Sequence, residues 1–233
     1  MTNTIQIDSK HLGRITGLVY FVIICCGLYG ALAVRGEIVD TANATQTAEN
    51  LLAQQSSYRI GFLCDLIMVI SDVIISILCY FLLRHVSQAL ALAAMVFRLI
   101  QSSVLGVNLI HLFHPLLLLK QSSGDTESLG QSTLHQLELF DYGYLISGVF
   151  FAVNCLLMGI LLYKSSLFPK VLGFLLAFAA AGYFFNCMAH FVCPQWINAS
   201  EIFMFFTAVI AELSFCIYLL VWGARSSVLF SIH

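Results

Sequence analysis

Long apolar stretches and polar connections alternate along the chain, and this rhythm predicts its elements. Six stretches run over roughly 15–34, 60–83, 89–118, 141–163, 170–193 and 201–223. Each is near the ~20 residues a helix needs to cross the hydrocarbon core. The third is long enough to tilt or project. The pattern predicts an all-α, polytopic transmembrane helical bundle of about six spanning helices, forming a single integral-membrane domain over residues 1–233. No internal repeat or low-complexity tract divides it.

The connections alternate in length. Residues 84–88, 164–169 and 194–200 are short links, whereas 35–59 and 119–140 are long and polar. In the first long loop, TANATQTAENLLAQQSSYR is rich in helix formers and is expected to lie as a short helix on the surface. The second contains QSSGDTESLG, a turn-rich segment expected to be mobile. The opening MTNTIQIDSKHLGR is polar, and the apolar stretch behind it is too long for a signal-peptide core, so it is read as a retained first span.

Composition agrees with lipid as the solvent. The chain is 60% hydrophobic and 9% charged, with a mean hydropathy of +0.93. A soluble domain carries about 25% charged residues to keep its surface wet. Membrane lipid is therefore the expected partner, and the sequence names no protein partner. A net charge of −2 without any Lys/Arg run excludes nucleic acid, which needs a clustered basic surface. The eight cysteines lie within or beside apolar stretches and none shows CxxC spacing, so they read as small buried hydrophobes.

Charge also suggests an orientation. Lys10, Arg14, Arg84, Lys164, Lys170 and Arg225 fall on one side, against Arg35, Arg59 and Lys120 on the other, which holds most of the loop acids. The positive-inside rule then places both termini in the cytoplasm.

Ionisable groups inside spans are where chemistry is expected, because each costs about 2.5–3.5 kcal/mol to insert. Asp65, Asp72 and Ser76 share a stripe of the second span. Arg98, Gln101, Asn108 and His111 line one side of the third, with His114 beyond. Asp72 and Arg98 lie at mid-span in helices joined by a short hairpin, so a buried Asp72–Arg98 ion pair is expected, either orienting two helices or acting as a proton or ion relay. Asn186 and His190 are at i and i+4 in the fifth span. Glu201 and Glu212 share a face of the sixth.

A second group gathers toward the predicted outer ends. Asp65, His111, His114, Asp141, His190 and Glu201 lie at similar depth on five spans. Imidazoles with carboxylates are the ingredients of a divalent-metal site, most plausibly zinc. His111, His114 and His190 would be ligands, with Asp65 as a fourth ligand or as the catalytic general base that activates water. The alternative is that these histidines meet only water and headgroups at the interface.

Other motifs add little. The chain has no glycine-rich phosphate loop, no GxSxG and no CxxCH. GxxxG spacing is also read as missing, though Gly173 and Ala177–Gly182 would let the fifth helix pack closely. Tyr142, Tyr144, Tyr183 and Trp196 suit an aromatic belt. Asn43-Ala-Thr45 and Asn198-Ala-Ser200 match the glycosylation sequon, and Asn198 with Glu201 reads as a helix cap.

Two stretches carry a resemblance. SSLFPKVLGFLLAFAAAGY (165–183) resembles the Phe/Leu-Pro-Arg/Lys-x-Leu-Gly turn and following helix of the bacterial membrane family catalogued as domain of unknown function 4386, and RITGLVYFVIICCGLYG (14–30) is similar to its first span. The resemblance implies a bacterial inner-membrane protein and brings no reaction, substrate or catalytic residue. Three classes of function stay open: a membrane-embedded zinc hydrolase acting on a lipid or small apolar substrate, a non-catalytic membrane subunit or accessory protein, and a small-molecule or proton-coupled binding or transport protein.

Overall fold

The computed structural model describes residues 5–119, 126–225 and 229–232. Lys120 and the first part of the turn-rich segment expected to be mobile lie outside them. Six helical stretches are long and apolar enough to cross a membrane: Ser9–Ile38, Gln55–Leu83, Gln88–Leu118, Thr126–Lys164, Lys170–Val192 and Pro194–Val221. They correspond one to one with the six expected spans.

The helices are α1 (Ser9–Leu28), α2 (Gly36–Ile38), α3 (Ala44–Ala53), α4 (Gln55–Leu83), α5 (Gln88–Leu118), α6 (Thr126–Lys164), α7 (Lys170–Val192) and α8 (Ile197–Val221). A π-helical stretch, Tyr29–Arg35, joins α1 to α2, and a 3-10 turn, Pro194–Trp196, leads into α8. One short antiparallel ribbon departs from the all-helical expectation: β1 (Ile5–Asp8) pairs with β2 (Leu229–Ile232), with Ile5 opposite Ile232.

Three features differ from the expectations. Helix α6 begins at Thr126, so Thr126–Phe140, expected in a loop, is helical. At 1.5 Å per residue this helix is about 60 Å long, twice the hydrocarbon thickness, so its polar first turns need no lipid. Helix α3 forms where helix formers predicted it, but it does not lie loose on the surface. Asn43 caps it by accepting from the Gln46 amide at 3.1 Å, and Thr47, Ala48 and Leu51 are buried. Asn198, expected to cap α8, is already inside that helix, whose N-cap is Trp196 without a side-chain bond.

The chain divides into two compact units. One comprises Met1–Phe21, Asp72–Gln101 and Ser147–His233, and the other Val22–Ser71 and Ser102–Ile146. In the first, small residues let backbones meet. A Cβ on Gly173 would lie 2.5 Å from the Tyr163 amide nitrogen, and one on Gly159 would lie 2.7 Å from the Gly173 carbonyl oxygen. Gly13 and Gly17 do the same for α1, and they correct the reading that GxxxG spacing is missing. Their Cβ positions would fall 2.5 Å from the Gly223 carbonyl and 2.7 Å from the Leu220 amide nitrogen. Gly223 also closes α8 in the left-handed region, φ +68°, which glycine adopts without strain.

The second unit has its own core of Val34, Ile38, Leu51, Tyr58 and Leu116. The Tyr58 hydroxyl, buried with the ring, donates to the Leu112 carbonyl at 2.9 Å. This core is what draws α3 inward: Leu51 has no exposed surface, and full burial of a leucine is worth about 1.5–3 kcal/mol.

Candidate functional site

The most concentrated polar chemistry lies in the first unit, around Arg98. This residue sits on α5, 8% exposed, and Asp72 on α4 is 3% exposed. The Arg98 Nε donates to Asp72 Oδ1 at 3.0 Å and Nη2 donates to the same oxygen at 2.5 Å. Gln101, one turn along α5, donates from Nε2 to Asp72 Oδ2 at 3.4 Å. The ion pair read from mid-span position is therefore present. Aromatic faces complete the guanidinium's surroundings, with Phe151 of α6 at 5.1 Å and Tyr20 of α1 at 5.7 Å from ring centroids. Such contacts favour a desolvated cation by about 2 kcal/mol.

A second carboxylate belongs to the same centre. Tyr183 of α7 donates its hydroxyl to Glu212 of α8. Glu212 is also within electrostatic reach of Arg98 and Asp72, with Tyr20 as a further hydroxyl neighbour. Each of the six spans thus supplies at least one side chain. Tyr183, expected in an aromatic belt, serves this centre instead, while Tyr142, Tyr144 and Trp196 remain exposed as belt residues do.

Beside Arg98 is a cavity of about 20 Å³, lined among others by Tyr20, Ser76, Cys79, Asn154 and Cys155. That volume suffices for about one water. Asn154 fixes one wall by donating to the Ala94 carbonyl at 2.7 Å.

The outer group distributes differently from the expected zinc site. In the second unit Asp65, 2% exposed, is paired with Arg35: Nη1 donates to Oδ2 at 2.5 Å and Nη2 to Oδ1 at 3.5 Å. Arg35 ends the π-helical stretch, a device frequent at functional positions, and Gly30 leaves room for the carboxylate, since a Cβ there would lie 3.0 Å from Oδ2. The sequence reading had set Arg35 aside as a loop cation. Phe140 lies 5.3 Å from its guanidinium, and Asp141 is within its electrostatic reach.

His111 shares a hydrogen bond between Nδ1 and Gln136 Oε1 at 2.9 Å. His114 Nδ1 has no hydrogen-bond partner among the described residues. Asn108 donates to the Phe140 carbonyl at 2.7 Å. In the first unit, His190 bonds the Asn186 carbonyl through Nδ1 at 3.0 Å and lies 3.3 Å from Glu201 through Nε2. The Asn186 side chain accepts from Ser200 at 3.1 Å. Among the described residues, no group of three or more His, Cys, Asp or Glu could hold a metal ion. The expected convergence of His111, His114, His190 and Asp65 is thus not displayed. The reason is local: Asp65 meets a cation nearer in space, and each of His111 and His190 finds a partner in its own unit.

Six long apolar helices and charge buried among them define a multi-pass integral membrane protein. The chain belongs to the family described as domain of unknown function (DUF4386), whose model matches residues 15–223. It is 27% identical over 165 residues to a protein of Archaeoglobus fulgidus described as uncharacterized, an alignment covering 69% of this chain and 82% of that one. No solved structure matches the chain.

Proposed function

We propose that this protein is a proton-linked membrane binding or transport protein whose working centre is Asp72, Arg98 and Glu212. The observation that carries this reading is one buried guanidinium bonded to Asp72 with a second carboxylate, Glu212, within its electrostatic reach, beside a one-water cavity that Arg98 and Tyr20 line. In hydrocarbon a net charge is expensive, so the second carboxylate calls for one more positive charge. The cavity admits a water and not a solute, and Tyr20, which lines it, neighbours Glu212, so a proton is the species we infer this centre takes.

The test is proton movement in liposomes containing the purified protein and an internal pH-sensitive dye. A proton response lowered in Glu212→Gln and in Asp72→Asn, with both variants still folded, is the expected result. Variants that lose stability and leave proton movement unchanged would instead establish the second reading, a non-catalytic subunit whose ion pair only fixes helix packing. Zinc hydrolysis of a lipid or small apolar substrate by His111, His114, His190 and Asp65 requires a rearrangement freeing Asp65 from Arg35. Stoichiometric metal in the purified protein, lost in His111→Ala and His190→Ala, would revive it.

For topology we infer that both termini face the cytoplasm of a bacterial inner membrane. An even number of spans and the ribbon joining the two chain ends support one common side, and the excess of Lys and Arg supports the cytoplasmic one.

A further inference from the structure

Three sulfur-bearing side chains, Cys26, Cys64 and Met68, lie where α1 packs on α4 in the second unit. The thiols of Cys26 and Cys64 are hydrogen-bond partners, and neither is disulfide-bonded. Met68 lies one turn beyond Cys64 on the same face of α4. Its thioether sulfur packs on Gly27, the residue after Cys26, where a Cβ would come within 3.1 Å of it. The nearest carboxylate along α4, Asp65, is bound to Arg35.

We propose that Cys26, Cys64 and Met68 form a site for a soft monovalent metal ion of the copper(I) or silver(I) class. Thiolate and thioether donors select such ions over hard or borderline ones. Charge balance is also met. Binding one M⁺ releases one proton from one of the two thiols: a metal–sulfur bond replaces that S–H bond, the other thiol and the thioether donate lone pairs, and no electron is transferred. The complex is neutral, as a site in a lipid-spanning helix should be. A divalent ion such as zinc could reach neutrality by releasing both thiol protons, but it takes four ligands, and this set offers three, one of them a thioether, with Asp65 already engaged. Because only two of the donors are cysteines, this set is distinct from the His/Cys/Asp/Glu groupings considered above.

The experiment is copper(I) titration of the anaerobically reduced protein in detergent, against a chromophoric copper(I) chelator. Wild type should withdraw one copper(I) per chain and Met68→Leu should bind more weakly. Cys26→Ser and Cys64→Ser should lose the site, while Cys155→Ser should match wild type. Thermal unfolding of each variant separates loss of ligand from loss of fold, and zinc in the same titration should fail to bind. Wild type that withdraws no copper(I), or Cys26→Ser and Cys64→Ser variants that bind as wild type does, would overturn the proposal. So would a protein that ignores copper(I) yet forms a Cys26–Cys64 disulfide with a mild oxidant, showing a thiol contact and no metal site.

Discussion

If Arg98 is shared by two carboxylates, removing both must hurt more than the single removals predict. Asp72→Asn replaces two charge-assisted hydrogen bonds, at 3.0 and 2.5 Å, with bonds to a neutral amide. Bonds to charged groups are worth about 1.5–3 kcal/mol each in net stability, and the asparagine oxygen recovers part of this. Glu212 still supplies a counter-charge, so the single variant should lose about 2 kcal/mol. Glu212→Gln leaves the Asp72–Arg98 pair intact and should lose about 1 kcal/mol, the usual net worth of a neutral hydrogen bond. The double variant strands a guanidinium that is only 8% exposed with neither carboxylate, which costs about 3–5 kcal/mol. With the lost Glu212 bond of about 1 kcal/mol the total is about 4–6 kcal/mol, against about 3 kcal/mol for the two single losses summed. Unfolding in mixed micelles of increasing SDS fraction, followed by tryptophan fluorescence, measures all four corners of the cycle. The expected coupling is about 1–3 kcal/mol beyond additivity. Single losses that add to within about 0.5 kcal/mol would show that Glu212 does not share Arg98, and the proton-linked reading would lose its foundation.

Two smaller predictions concern other parts of the molecule. A methyl at Gly143 would fall 2.0 Å from Asn108 Oδ1, so Gly143→Ala should displace Asn108 from the Phe140 carbonyl and lower stability by about 1–3 kcal/mol. Adding Asn108→Ala should recover part of that loss, and no recovery would mean that the clash lies elsewhere. His85, in the link between α4 and α5, has a proton affinity below its ordinary 6.5 because partial loss of hydration disfavours the cation, which its bond to the Leu82 backbone only partly offsets. Its folded value lies below its unfolded one, so its small contribution to stability is present above pH 6.5 and fades as pH falls toward the folded value. The slope of stability against pH just below 6.5 should therefore flatten in His85→Gln. An unchanged slope would assign it to another group.

Membership of a spanning helix could be read from residue order, because lipid imposes a length and polarity rule on each segment independently. All six spans were legible on that basis. So was the Asp72–Arg98 pair, since a short hairpin constrains two mid-span residues to meet. The helical state of Thr126–Phe140 was not legible, because a helix emerging from the hydrocarbon no longer needs an apolar sequence. Nor was the inward packing of α3, which depends on a core built from Val34, Tyr58 and Leu116, distant in the chain.

Partner choice among the remaining charges belonged to the tertiary structure alone. Asp65 and three histidines matched in depth along the sequence, but depth says nothing about which way a helix is turned. The π-helical stretch ends in Arg35, whose own guanidinium meets Asp65, and Tyr183 faces Glu212 and not the aromatic belt. Sequence by itself determined the solvent of this protein, the number of its spans and one mid-span pair. Rotation of each helix about its axis, set by glycine contacts and side-chain packing, decided which buried charges meet. A hydropathy pattern contains no term for that rotation.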